Sequence, residues 1–107
     1  MIARVWRGWT RPEAAEAYER LLRGEILPGI VEDAPACRGG DVLRRRTEAE
    51  VEFMTILWFD SMDGIRAFAG EPPERAHVPP RARELLHRYE EEARHYRHRG
   101  ERAGPPS

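Results

Sequence analysis

The chain contains no lysine, asparagine or glutamine, and all 18 of its basic residues are arginine. With 19 acidic residues, the net charge at neutral pH is -1. Domains that bind nucleic acid usually carry a clear excess of basic charge on one face. The near-neutral balance argues against that class, and we expect no nucleic-acid partner.

Cysteine and long apolar runs are equally scarce. Cys37 is the only cysteine, which excludes a disulfide within the chain and suits a reducing compartment. No segment approaches the roughly 20 apolar residues of a membrane-spanning helix, and the first residues lack the apolar core of a secretory signal. We therefore expect a cytoplasmic protein with no membrane partner. Its 107 residues correspond to one domain.

The most informative segment of the sequence runs from Val51 to Asp60. It is rich in β-branched and aromatic residues and lacks glycine and proline, so it predicts a strand. A half-buried strand alternates apolar with polar residues, but here both faces are apolar. One face carries Phe53, Leu57 and Phe59. The other face carries Met54, Ile56 and Trp58. A strand buried on both sides is central to a covered sheet, so we expect helices on one face and a second copy of the chain on the other.

The segments before this strand predict a strand, a helix and a second strand. Residues 2–9 predict the first strand, with a Trp and an Arg on each face. Thr10 and Glu13 have the spacing of a capping box for a helix over 11–27, which Pro28-Gly29 should end. Residues 36–46 predict a second strand, interrupted by Gly39-Gly40. A hairpin centred on Glu48 would then place Arg46 opposite Glu50, and Arg44 opposite Glu52.

The C-terminal part allows two interpretations. Ser61 is expected to cap a second helix that Gly70 ends, and a third helix should begin at Pro80. Apolar periodicity continues that third helix to Tyr96, whereas a sheet of only three strands would leave an edge exposed and favours a strand over 91–98. The final residues, 100–107, are rich in glycine and proline, and we expect a disordered tail.

The element order β-α-β-β-α, then a short helix and a strand, is that of a ferredoxin-like unit. Within it, the stretch Trp58-Phe-Asp-Ser-Met-Asp-Gly-Ile-Arg-Ala-Phe-Ala69 resembles the antibiotic biosynthesis monooxygenase (ABM) family of dimeric α/β barrels. In that family an aromatic residue ends the third strand two residues before the helix cap, the place of Phe59 here. The resemblance covers about residues 1–98. It implies a ferredoxin-like α+β domain over 1–99 with an antiparallel four-stranded sheet, its fourth strand at about 92–98.

The resemblance also implies an assembly and a class of function. In the family, two sheets pack face to face across a two-fold axis, and an active site, where one exists, lies between the sheet and the helices. Members include cofactor-independent oxygenases of polycyclic aromatic compounds and haem-degrading enzymes. The Asn, Trp and His of the haem-degrading type correspond here to Val5, Phe68 and a position near His77. Two of the three differ, so we disfavour haem degradation and expect neither a cofactor nor a metal.

The candidate chemistry rests on two residues. His77, in a proline-rich loop, is the candidate general base toward an acidic phenol. Arg7, expected in the sheet–helix cleft with Glu16 or Asp60 as alternative partners, is the candidate oxyanion stabiliser. The residues expected to bind the ligand are Val5, Trp9, Trp58, Phe59, Phe68 and Tyr96, although core packing also accounts for the aromatic ones. The leading hypothesis is a homodimer that binds a small aromatic or apolar compound and is a candidate cofactor-independent monooxygenase. The alternative is a non-catalytic ligand-binding or stress-associated dimer.

Overall fold

A computed structural model describes residues 1–100 and confirms the predicted α+β class. The predicted tail falls, apart from Gly100, outside the described residues. Among residues 1–100, no helix has both the length and the apolar character needed to cross a membrane. The strands are β1 Ile2–Thr10, β2 Cys37–Arg46, β3 Val51–Phe59, β4 Leu86–Tyr89 and β5 Arg94–Arg97, and the α-helices are α1 Ala15–Leu21, α2 Leu27–Asp33, α3 Met62–Ala69 and α4 Pro80–Leu85.

The five strands form one antiparallel sheet whose centre is β1 and β3. β2 lies on the far side of β3, and β4 and β5 both pair with the free side of β1. β5 pairs with the first half of β1 and β4 with its end, so two short strands share the edge that a single fourth strand was expected to fill. The predicted strand near 92–98 is confirmed as β5. The expected count of four strands is wrong, since the third helix ends at Leu85 and the chain enters β4.

All four helices pack on one face of the sheet. Phe53 and Phe59 are fully buried there, and Leu57 is nearly so. Phe53 packs with Tyr18 of α1 and Ala82 of α4, whereas Phe59 packs with Ile65 of α3 and with α2. Alternate residues of β1 and β3 face these helices, as the two-residue period of a strand requires.

The opposite face, which we call the open sheet face, carries Val5, Leu43, Met54, Ile56 and Trp58. No helix within residues 1–100 covers it. Val5, Met54, Ile56 and Trp58 are only partly buried, and Leu43 remains 53% exposed. Tyr96 of β5, directly opposite Ala3 in the register, is 54% exposed on the same face. The two apolar sides expected for β3 are therefore both present, one under the helices and one facing outward.

The first helix departs from its predicted ends. Thr10 is the last residue of β1, and its buried hydroxyl has no hydrogen-bond partner among the described residues, so the capping box is wrong. A 3₁₀ turn at Pro12–Ala14 leads into α1 instead. The predicted end at Pro28-Gly29 is also wrong, because a π-helical turn at Leu22–Ile26 carries the chain into α2. This wider turn directly precedes Pro28, which lacks the N–H that an α-helix would donate to Gly24.

The β2–β3 hairpin is shifted by one residue from the predicted register. Arg45 lies opposite Glu52, Arg44 opposite Phe53 and Arg46 opposite Val51. The reason is the turn, which Thr47 closes by hydrogen bonds from its backbone N–H and its hydroxyl to the carbonyl of Glu50. Downstream, the predicted helix cap is confirmed, since the Ser61 hydroxyl accepts from the Gly64 N–H at 3.1 Å.

Candidate functional site

A small cavity of about 60 Å³ lies between the sheet and the helices. Its walls are mostly apolar, and its polar side chains include Arg4 on β1, Thr55 on β3 and His77 in the loop before α4. Leu22 and Ile26, the first and last residues of the π-helical turn, form part of the wall. Such turns are frequent at functional sites. The space corresponds to roughly two water molecules.

A larger groove of about 640 Å³ lies outside this cavity, between α2 and α3. The two spaces share wall residues, among them Ile30, Phe68 and His77. Phe68 and His77 therefore stand at the boundary, with their ring centroids 5.9 Å apart. The volume of the groove falls within the range of small-molecule sites, which is about 300–1,000 Å³.

Arg4 is the most unusual residue of the cavity, because its charged side chain points to the covered face of the sheet. The residue is only 4% exposed. Its guanidinium donates to the carbonyl oxygens of Pro73, at 2.5 Å, and Arg75, at 2.8 Å, and to Nε2 of His95 at 2.9 Å. The guanidinium carbon also lies 5.6 Å from the centroid of the Phe68 ring. Arg4 thereby fixes the loop before His77 onto β1.

No carboxylate within residues 1–100 forms an ion pair with Arg4. The nearest negative influence is Glu74, whose carboxylate lies 3.9 Å from Nδ1 of His95. Burial lowers the pKa of Arg4, and the charge of Glu74 partly opposes that shift. Buried charges are normally paired, so Arg4 carries a positive charge that no directly paired carboxylate among the described residues neutralises.

His95 is held as a neutral acceptor beside this charge. Its Nε2 receives the hydrogen bond from Arg4, so the proton of the neutral ring is on Nδ1, the side of Glu74. Burial, and then the charge of Arg4, lower the pKa of His95, while Glu74 opposes the shift. At neutral pH the ring therefore remains uncharged.

Thr55 supplies a second unpaired polar group. The residue is 7% exposed, and its hydroxyl oxygen has no hydrogen-bond partner among the described residues. It lies opposite Trp6 in the sheet and lines the same cavity as Arg4. A buried hydroxyl without a partner destabilises the fold by roughly 1–3 kcal/mol, so a ligand or water that bonded to it would be stabilised.

His77 is oriented by the end of α3. Its Nε2 hydrogen bonds to the carbonyl of Ala69, an acceptor, so Nε2 carries the proton and Nδ1 of the neutral ring is the basic nitrogen. The residue itself is exposed, at the boundary of cavity and groove. This placement is compatible with general-base chemistry on a molecule in the groove.

The structure divides the predicted site residues between the two faces of the sheet. His77 and Phe68 line the cavity, and Phe59 lies in the core behind them, its ring centroid 5.5 Å from that of Phe68. The remaining predicted residues alternate toward the other face: Val5, Arg7, Trp9, Trp58 and Tyr96. The prediction that Arg7 and His77 act in one cleft is therefore wrong.

The acidic partners of Arg7 also differ from those predicted. It forms a salt bridge with Glu90 at 3.0 Å and lies 3.9 Å from Glu52, neither of them the partner predicted from the sequence. Hydrogen bonding to Glu90 raises the pKa of Arg7. Partial burial opposes ionisation of Glu90, but the hydrogen bonds from Arg7 and Arg94 outweigh it and lower the pKa of that carboxyl. Arg7 is therefore a structural ion-pair residue on the open sheet face.

Other candidate sites are weaker. A wide groove of about 1100 Å³ beside residues 72–78 and 89–94 is lined by four carboxylates and three guanidinium groups, whose charges largely cancel. Within residues 1–100, no three potential metal ligands of the His, Cys, Asp or Glu type are grouped as a metal site would require.

Comparison with known proteins adds no relative. No family model matches the chain, and no curated protein matches it with significant similarity. The resemblance to the ABM family therefore rests on the residue patterns of 58–69, 78–86 and 95–96 and on the element order.

The pH dependence of stability tests whether His95 is a neutral hydrogen-bond acceptor for Arg4. The folded-state pKa of His95 lies below the unfolded value of about 6.5, so the unfolded state binds the proton more tightly. The stability that neutral His95 contributes is complete above pH 6.5 and is lost as pH falls through the folded pKa, by at most about 1.4 kcal/mol per pH unit. Urea unfolding between pH 7.5 and 4.5 should show a steeper loss for the wild type than for His95→Gln. Equal pH dependence of the two proteins would contradict the assignment of His95 as a neutral residue with a lowered pKa.

Proposed function

We propose that the chain is a ligand-binding protein of the ABM type, with a ferredoxin-like fold, which holds a small aromatic or apolar compound between its helices and its sheet. The observation that carries the proposal is the apolar groove between α2 and α3 with the cavity behind it, where polar groups converge on an otherwise apolar wall. Apolar walls with a few placed polar groups are typical of small-molecule sites. The strand order and the position of Phe59 before the Ser61 cap support the family assignment.

Blocking the groove tests the proposal. Ala67 is an exposed residue of α3 that lines the groove, so Ala67→Trp should fill part of it. Because the indole would occupy part of the groove, we expect this variant to bind the neutral probe 2-naphthalenemethanol about tenfold more weakly than the wild type in calorimetry, a loss of about 1.4 kcal/mol.

The matched control is Asp63→Trp, which adds the same indole to the same helix at a side chain that is 98% exposed. This control should bind the probe as the wild type does. Equal binding by all three proteins would overturn the proposal.

We further propose that two copies pair through the open sheet face to form a dimeric barrel. Its centre, around Val5, Met54, Ile56 and Trp58, is apolar but incompletely buried. Its charged side chains at the rim are satisfied locally, for example Arg45 by Glu52 at 3.0 Å. An apolar centre with a polar rim is the usual anatomy of a protein interface, and a two-fold axis lets one patch pair with itself.

A charge at the centre of that face should separate the subunits. Ile56→Arg would bring two unpaired guanidinium groups into a closed interface, so sedimentation at micromolar concentration should change from dimer to monomer. Val31→Arg, at a 42% exposed position on α2, is the control and should stay dimeric. A wild type that sediments as a monomer, or a dimeric Ile56→Arg variant, would contradict the pairing.

Cofactor-independent oxidation is the second candidate, favoured by the exposed, oriented imidazole of His77 at the cavity boundary. In this reaction Nδ1 would remove a proton from a phenol or an anthrone-like compound in the groove, leaving an anion with carbanion character at a ring carbon. That carbon would add O₂, the oxidant, and take up the proton to give a hydroperoxide, which would lose water to leave a quinone. Arg4, rather than Arg7, lies on the correct face to stabilise the oxyanion.

Oxygen uptake with anthrone separates an enzyme from a passive binder. His77→Ala should reduce the rate by about 100-fold, the lower range of general-base contributions. His87→Ala is the control, because His87 is exposed and lies outside the cavity and the groove. Equal rates for the wild type and His77→Ala would remove His77 as the base, and no uptake by the wild type would favour a non-catalytic or stress-associated dimer.

A further inference from the structure

We propose that the ligand carries an oxyanion, such as a carboxylate or an ionised acidic phenol, and that this group binds Arg4 while the apolar body lies toward the α2–α3 groove. The inference rests on the proposed ligand-binding function and specifies the class of compound. It follows from three features of the cavity that are independent of the family resemblance.

The first feature is the missing countercharge. Arg7, Arg45 and Arg88 each lie within 4 Å of a carboxylate. Arg4 is the most buried of these four arginines, yet it has no ion pair within residues 1–100. Its partners are two carbonyl oxygens and a neutral imidazole, which solvate a cation but do not neutralise it. An anion is the missing component of this arrangement.

The second feature is the remaining hydrogen-bonding capacity. A guanidinium has five N–H groups, and the three hydrogen bonds of Arg4 account for three of them. The Thr55 hydroxyl on the neighbouring strand has no partner and lines the same cavity. An oxyanion that accepts from the remaining N–H groups of Arg4 would form charge-assisted hydrogen bonds, which are the stronger kind, beside the polar wall that Thr55 provides.

The third feature is the shape of the space. The inner cavity of about 60 Å³ fits a head group of a few atoms and excludes an aromatic ring system, whereas the outer groove of about 640 Å³ accepts one. Phe68 separates the two, with its ring over Arg4 on one side and in the wall of the groove on the other. The geometry therefore fits a small anionic head joined to a flat apolar body that passes beside Phe68.

Two probes that share one apolar body test the proposal. 2-Naphthoate carries a carboxylate, and 2-naphthalenemethanol is its neutral counterpart. The wild type should bind the naphthoate about tenfold or more tightly in calorimetry, as expected for hydrogen bonds to a charged group. Arg4→Met should bind both probes equally, whereas Arg20→Met, which removes one exposed charge of α1, should keep the preference.

The indole resonances of the wild type locate the bound naphthoate even if Arg4→Met fails to fold. Trp6 lines the cavity, whereas Trp58 lies on the open sheet face. We expect the Trp6 indole N–H signal to shift in an NMR titration and that of Trp58 to stay unchanged. A shift of Trp58 alone would overturn the placement of the anion.

The outcomes separate this inference from the proposed function. Equal affinity of the wild type for the two probes would overturn the anion preference and leave ligand binding in the groove intact. If neither probe binds, both proposals fail.

Discussion

The buried guanidinium of Arg4 is the constraint on which the remainder of the site depends. It lies on the helix-covered face of the central strand and needs more hydrogen-bond acceptors than the neighbouring strands supply. The carbonyl oxygens of Pro73 and Arg75 meet that need, so the chain after α3 must fold back over β1. His95 of β5 completes the set. This loop then leads directly into His77 and the wall of the cavity, so one polar side chain determines where the pocket closes.

The arginines on the two faces of the sheet differ in whether a carboxylate pairs with them. On the open sheet face the arginines are matched by carboxylates, as in the pairs of Arg7 with Glu90 and Arg45 with Glu52. Exposed pairs of this kind contribute little to stability, but they partly neutralise the charge at the edge of an apolar patch. On the covered face Arg4 has hydrogen bonds without a countercharge. The first face is thus suited to contact with an apolar surface, and the second to an anionic ligand.

Local chemistry made part of the fold predictable. The β3 strand, the Ser61 cap and the helix end at Gly70 each follow from residues within a few positions of one another, and all three are confirmed. Features that depend on particular hydrogen bonds, which residue types alone do not reveal, were missed. The hairpin register follows the bonds between Thr47 and Glu50, and the long first helix continues because a π-helical turn accommodates Pro28. The β4–β5 break coincides with Glu90, which turns its carboxylate back to Arg7.

The candidate site was predicted less well than the fold, because its residues depend on which face of the sheet the helices cover. A strand's two-residue period places Arg4 and Arg7 on opposite faces, and each face also carries a tryptophan. Nothing within β1 indicates which face the helices cover, because that depends on pairing with β3 and on the path of the following helices. Arg7 was therefore placed in the cleft in error, and Arg4 and Thr55 were missed. A polar residue between Phe53 and Leu57, on the face later found to be covered, was the available signal for Thr55.

The most direct test of the central claim is the NMR behaviour of the arginine side chains. If Arg4 is a buried cation without a paired anion, its Nε proton should exchange slowly with water and its resonance should be separate from those of the exposed arginines. The Arg4 resonance should shift when 2-naphthoate is added, whereas the Arg7 resonance should not. An Arg4 resonance that exchanges as fast as the exposed ones, or that is unaffected by a bound naphthoate, would contradict the account.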